Sequence, residues 1–283
     1  MNGLKFGRRK NFIFFLALGI ISGPFETRIF SQDENPKSVL ILAPLAGITK
    51  VDVEYSVSNS PVKQNLNESG PLYGAHMLLV NPKFVIATLA HYSELDKGKE
   101  NGYLLTGYYY FREKQKWQPM LGSSIEYIHA RAELGLSDVA PLNSLDVDTS
   151  IWAFYPLVGI SFKTGMFRIS PYVAYLKETV ETIASSDGIR TAGQLRNGFR
   201  RKSYADLDYF SAGSKLEVSF GHFVRYDGKF YIRCRDGEEN HITTRNRLDV
   251  YLTKKLAISA KIDYFQDKYE TMTLFMFGPA IVF

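Results

Sequence analysis

The last nine residues, Phe275-Met276-Phe277-Gly278-Pro279-Ala280-Ile281-Val282-Phe283, alternate bulky and smaller side chains and end on an aromatic. Counting back by twos from Phe283 gives Ile281, Pro279, Phe277 and Phe275, while Val282, Ala280 and Gly278 fill the intervening positions. A two-residue period with one bulky apolar face is the pattern of a strand whose outer face meets an apolar medium. A water-soluble domain seldom ends this way, because chain ends tend to be exposed and frayed. Proline at position 279 removes one ladder donor, so pairing is expected to falter there.

The same period recurs along the chain. Trp152, Phe154, Pro156, Val158, Ile160 and Phe162 share one phase, and after Lys163-Thr164-Gly165, a hairpin turn, Phe167, Ile169, Pro171, Val173 and Tyr175 continue it. Phe210, Ala212, Ser214, Leu216, Val218 and Phe220 alternate with Ser211, Gly213, Lys215, Glu217 and Ser219. Tyr73, Ala75, Met77 and Leu79 form one face, as do Val51, Val53, Tyr55 and Val57. Short connections alternate with long polar ones at Asn59–Gly70, Ser93–Glu100, Arg131–Ser150 and Thr179–Ala205. This predicts about 12 strands of around 10 residues, with 10 strands as the alternative, since a tilted strand of that length crosses a bilayer and single-chain bacterial barrels use even numbers. The fold class is all-β, an antiparallel up-and-down barrel. A soluble β-sandwich or a lipocalin-like barrel would show the same period with the apolar face turned inward. Periodicity reveals a face and not its direction, so the two chain ends decide.

Lys5, Arg8, Arg9 and Lys10 precede an apolar run of roughly 15 residues, shorter than the roughly 20 a spanning helix needs. A basic stretch before a short apolar one reads as a secretory signal over residues 1–31, with Ser31 the preferred last residue and Ser22 the competing one. Residues 32–44 are then a short lead-in and 45–283 the barrel. The formal charge of +5 belongs largely to the leader: residues 1–31 carry five of the 34 bases and one of the 29 acids. The remaining 29 bases and 28 acids almost balance, which argues against a nucleic-acid partner. Phe and Tyr number 20 and 18 in a chain that is only 45% hydrophobic, as suits strands with one lipid face and one polar face. The single cysteine, Cys234, sits at an apolar phase and reads as a small lipid-facing side chain.

The terminal strand resembles the C-terminal assembly signal of bacterial outer-membrane β-barrels, with Phe275, Phe277, Ile281 and Phe283 as its aromatic and apolar positions. That resemblance implies an outer-membrane location with both termini periplasmic. It implies the barrel assembly machinery, outer-membrane lipid and lipopolysaccharide as partners.

If the apolar phases face lipid, Lys215, Glu217, Arg233, Arg235, Arg245, Arg247, Asp249, Lys261 and Asp263 face the lumen. A cationic cluster in a narrow lumen favours anions, which suggests a narrow channel for small solutes or ions. The competing reading pairs these bases with the three acids in a network that fills the barrel. Arg190, Arg196, Arg200, Arg201 and Lys202 form a basic outer connection suited to lipopolysaccharide phosphates, which allows a surface-interaction barrel instead. His91-Tyr92-Ser93 is slightly similar to the His-x-Ser of lipid A deacylase barrels. Such chemistry needs the serine against the histidine and an orienting acid, here Glu94 or Glu100. That family's asparagine after the serine is replaced by Glu94. No metal-ligand spacing or phosphate loop points to a cofactor.

Overall fold

The computed structural model describes residues 38–56, 63–111, 115–134, 145–186, 189–191, 194–196, 199–221, 223–235, 240–267 and 270–283. Among the described residues fourteen strands follow one another: β1 (Val39–Ser56), β2 (Lys63–Val80), β3 (Phe84–Leu95), β4 (Gly98–Tyr110), β5 (Trp117–Leu134), β6 (Leu145–Thr164), β7 (Phe167–Ser186), β8 (Ile189–Thr191), β9 (Gln194–Arg196), β10 (Phe199–Phe220), β11 (Val224–Cys234), β12 (His241–Tyr251), β13 (Leu256–Gln266) and β14 (Glu270–Val282). Twelve of them close an antiparallel barrel in which each strand pairs with its sequence neighbours and β1 pairs with β14. The remaining two, β8 and β9, form a small separate hairpin in the connection between β7 and β10.

Side chains alternate as the period requires. On β14, Leu274, Met276 and Ala280 are buried inside, while Phe275, Phe277 and Ile281 are exposed outside. The outward faces of β6 and β7 carry the predicted series, with Trp152, Phe154, Val158, Ile160, Phe167, Ile169, Val173 and Tyr175 all exposed. Two aromatic rings bound this apolar band. Tyr73, Tyr103, Tyr127, Trp152 and Tyr175 lie toward the long connections, with Tyr127 and Trp152 packed at 4.5 Å. Tyr109, Phe111, Trp117, Phe162, Phe167 and Phe220 lie toward the short turns, with Trp117 and Phe162 at 4.6 Å. Trp152 and Phe162 are ten residues apart on β6. At about 3.3 Å per residue and a tilt near 40°, that separation spans about 25 Å, the height of the lipid-facing band of a transmembrane barrel.

The strands differ in length more than the sequence suggests. β10 runs for 22 residues and β6 and β7 for 20 each, but β11, β12 and β13 for 11. About ten residues suffice to cross a bilayer, so the β5–β7 and β10 side stands well beyond the aromatic ring as paired sheet. Much of what reads as polar loop at Asn59–Gly70, Arg131–Ser150 and Thr179–Ala205 is therefore strand. Both faces of a sheet beyond the membrane meet water, so the apolar alternation that marks a strand disappears there. Two further expectations are corrected. The barrel begins at Val39, inside the stretch expected as a lead-in. Val51 points inward and is buried, while Asp52 and Lys50 face outward and pair at 3.4 Å.

Pro279 leaves its mark on the closing seam. The β1–β14 ladder runs through Leu42↔Ile281 and resumes at Ala46↔Phe277, while the β13 side stays continuous through Ile258↔Pro279. Proline's missing N–H thus falls on the β1 side. The backbones crowd at Gly278, where a Cβ would come within 2.0 Å of the Pro44 carbonyl oxygen.

Candidate functional site

Inward phases from every wall meet in the lumen. Toward the short turns it is filled by an apolar layer: Ile41, Leu78, Val85, Tyr110, Met120, Ala257, Met276 and Ala280 are all at most 3% exposed. Burial of this kind is what a packed barrel interior gives and a water-filled one does not.

Above that layer the predicted charged wall is present. Lys215 and Glu217 on β10, Arg233 on β11, Arg245, Arg247 and Asp249 on β12, and Lys261 and Asp263 on β13 all point inward. Arg235 lies one residue past the end of β11, its guanidinium 5.9 Å from the Tyr209 ring. The acids on the same strands pair with the bases, but the pairing also reaches acids and rings that the sequence reading left out. Arg245 Nη2 lies 2.7 and 2.8 Å from the two carboxylate oxygens of Glu126 on β5, across the barrel. Tyr155 on β6 donates to the same carboxylate at 2.9 Å. Arg233 donates to Glu178 on β7 at 2.6 Å and to the Tyr155 hydroxyl at 2.7 Å. This chain of contacts ties β5, β6, β7, β11 and β12 together through the lumen.

Nearer the apolar layer, Lys215 is 2.7 Å from Glu217 and 3.2 Å from Asp227. Arg168 and Arg225 approach Glu217 at 3.1 and 3.6 Å. Arg247 donates to Asp249 at 2.8 Å and reaches His76 on β2, and Ser259 donates to Asp249. Lys261 pairs with Asp263. Each buried ion is costly unless matched; here Lys215–Glu217, Arg247–Asp249 and Lys261–Asp263 match along one strand, while Arg168–Glu217 and Lys215–Asp227 match between strands. The luminal partners Glu126, Glu178 and Arg168 were missed by the sequence reading. Their signal was available: each occupies the phase opposite a run of exposed apolar residues on its own strand.

The His91–Ser93 pair also faces inward. His91 Nε2 is 2.8 Å from Glu100 Oε1, and the imidazole lies over Gly102, where a Cβ would come within 2.0 Å of the ring. Glu94 points to the opposite face and pairs with Lys99 at 3.4 Å. Ser93 is 1% exposed and its Oγ makes no hydrogen bond among the described residues, so it is not held against the histidine. Glu100 is therefore the acid at this histidine, and the trio is turned away from the face that would meet a lipid ester.

Among the basic surface residues, Arg200, Arg201 and Lys202 are exposed on the β10 extension. Lys202 lies 2.6 Å from Glu181 and 4.7 Å from the Tyr204 ring centre. That hydrogen bond holds the Glu181 carboxyl below its ordinary value and the Lys202 ammonium above its own. The side chains of Arg190 and Arg196 lie outside the described residues. Cys234 faces outward and is exposed, and Phe275, Phe277, Ile281 and Phe283 line the outer face of the terminal segment.

The fold is similar to that of the translocator domain of the autotransporter NalP from Neisseria meningitidis. The two share 10% identity over 88% of this chain and 90% of that one, with a TM-score of 0.50. The β domain of the Bordetella autotransporter BrkA aligns at 13% identity over 85% of this chain and 98% of its own, with a TM-score of 0.41. Ail, the attachment invasion locus protein of Yersinia pestis, aligns at 11% identity over 88% and 99%, with a TM-score of 0.27. No family model matches the chain, and no curated protein matches it. The likeness to the NalP domain is one of fold, a closed β-barrel.

Proposed function

We propose that this chain is an integral outer-membrane β-barrel that is closed to solutes as folded and acts at the cell surface through the sheet beyond its outer aromatic ring. The observation that carries the closed state is the Arg245–Glu126 contact across the lumen, set above a buried apolar layer. The membrane reading is supported by the apolar outer band between its two aromatic rings. So many large apolar side chains exposed in one belt are untenable in water. Short turns on the side of Val39 and Phe283 support a periplasmic position for that end. The outer partners are membrane lipid and lipopolysaccharide, whose phosphates suit Arg200, Arg201 and Lys202. The terminal face of Phe275, Phe277, Ile281 and Phe283 is offered to the barrel assembly machinery. No catalytic role is part of the proposal.

A second reading is passive diffusion of small solutes or ions through a narrow path. It is favoured by the half-buried belt of Asp227, Lys229, Arg245 and Asp263 at mid-lumen, since rings of charge set selectivity in narrow pores.

Placement is tested by cysteine labelling of intact cells with a membrane-impermeant maleimide, in a Cys234→Ser background. Tyr204→Cys is expected to label and Lys254→Cys, at a short turn, to be protected. Labelling of Lys254→Cys alone would reverse the orientation, and no labelling of either would remove the protein from the surface.

A further inference from the structure

Among the described residues, one luminal cation stands apart from the pairing. In register across four strands, Ser170, Lys215, Lys229 and Arg245 form a single inward row, so three cations lie side by side. Like charges directly opposite one another on paired strands repel. Lys215 is compensated by Glu217 and Asp227, and Arg245 by Glu126. Among the described residues, Lys229 has no carboxylate within ion-pair distance. Its ammonium sits among three tyrosine rings, 5.0 Å from the centre of Tyr231, 5.4 Å from Tyr172 and 5.9 Å from Tyr108.

Ring faces soften an ammonium's isolation but accept none of its three protons in a strong hydrogen bond. The groups left unpaired nearby are chiefly donors. Tyr172 is 5% exposed and its hydroxyl has no hydrogen-bond partner among the described residues. That hydroxyl lies over Gly213, where a Cβ would come within 2.7 Å of it. The Nε of Arg233, four residues along from Lys229 on the same face of β11, is also buried without a hydrogen-bond partner among the described residues. The unpaired carboxylate oxygen in this row, Asp263 Oδ1, lies on the far side of Arg245 from Lys229. Lys229 itself is half-buried, so space lies beside its side chain.

We propose that the mid-lumen binds a small inorganic anion at Lys229, held by its ammonium and the Tyr172 hydroxyl. The site completes the charge balance of the row. It needs no conduction, so it stands or falls apart from the closed-barrel reading.

The test uses the full chain refolded into detergent micelles, with chloride as the probe. Urea unfolding midpoints are measured at constant sodium while bulky gluconate is exchanged for chloride. A ligand that binds only the folded state raises stability with its concentration, so the wild-type midpoint rises and saturates. Lys229→Met abolishes the chloride dependence and exceeds wild type in gluconate, because an unmatched charge has been removed. Lys229→Arg keeps the dependence, and Tyr172→Phe weakens apparent affinity several-fold. Tyr172→Phe removes a single hydroxyl and carries the test should Lys229→Met not refold. Equal wild-type midpoints in the two salts would overturn the proposal. So would a chloride dependence that Lys229→Met or Tyr172→Phe leaves intact, which would mark a general salt effect.

Discussion

Arg245 and Glu126 meet across the barrel, 2.7 Å apart, with four strands between them one way round and six the other. Neighbouring strands would pair without this contact, so it contributes little to specifying the sheet. It joins opposite walls and spans the lumen between them.

Breaking the pair from one side leaves a charge without its partner. Glu126→Gln or Arg245→Met alone is expected to destabilise the barrel by about 3–5 kcal/mol, and the double substitution by much less. Urea unfolding of the two single variants and the double variant, read as a double-mutant cycle, checks this. Strictly additive losses would mean that the two side chains do not share one interaction.

The outer band makes a position-dependent prediction. Val158 lies midway between Trp152 and Phe162 on β6 and is 52% exposed. Val158→Arg should cost about 2–4 kcal/mol in lipid, as a basic side chain does at the bilayer midplane. Tyr204→Arg, on the β10 extension, should change stability by less than about 0.5 kcal/mol. Unfolding in lipid vesicles distinguishes them, and equal costs would argue against a membrane boundary between the two positions.

The closing seam is sterically tight at Gly47. A Cβ there would stand 1.7 Å from the Phe275 carbonyl oxygen, a backbone atom that cannot swing aside. Gly47→Ala should therefore loosen the β1–β14 pairing and cost at least about 1–3 kcal/mol. The compact, fast-migrating form on an unheated gel should melt at a lower temperature than wild type. Unchanged melting would mean that the seam yields freely.

The exposed bases on the β10 extension should act on binding and leave the fold alone. Arg200→Glu, Arg201→Glu and Lys202→Glu together are expected to weaken lipopolysaccharide association several-fold, more so at low salt. Surface ion pairs such as Lys202–Glu181 contribute little to stability, so the unfolding midpoint should hold. Co-sedimentation with lipopolysaccharide vesicles measures the first and urea unfolding the second.

Where lipid meets the barrel, the sequence was readable. Residues such as Trp152, Phe154 and Phe162 must be apolar on one face only, and the period follows directly. The same clarity gave the inward phase of Lys215, Glu217 and Asp249. Legibility stopped at the aromatic ring nearer the long connections. Thr179, Glu181, Arg200 and Lys202 lie in strands, but water on both faces removes the selection for alternation. Val51 illustrates the inverse case, an apolar residue turned inward while Lys50 and Asp52 take the outer face. Cross-lumen partners such as Arg245 and Glu126 are 119 positions apart, and only barrel closure brings them together.

The central claim is that the lumen is closed by its own side chains. Single-channel recording of the refolded chain in a planar bilayer tests it most directly. Insertion with no discrete conductance steps is predicted for the wild type. Well-resolved ohmic steps whose anion preference weakens in Arg245→Ser would contradict the closed barrel and establish the narrow pore in its place.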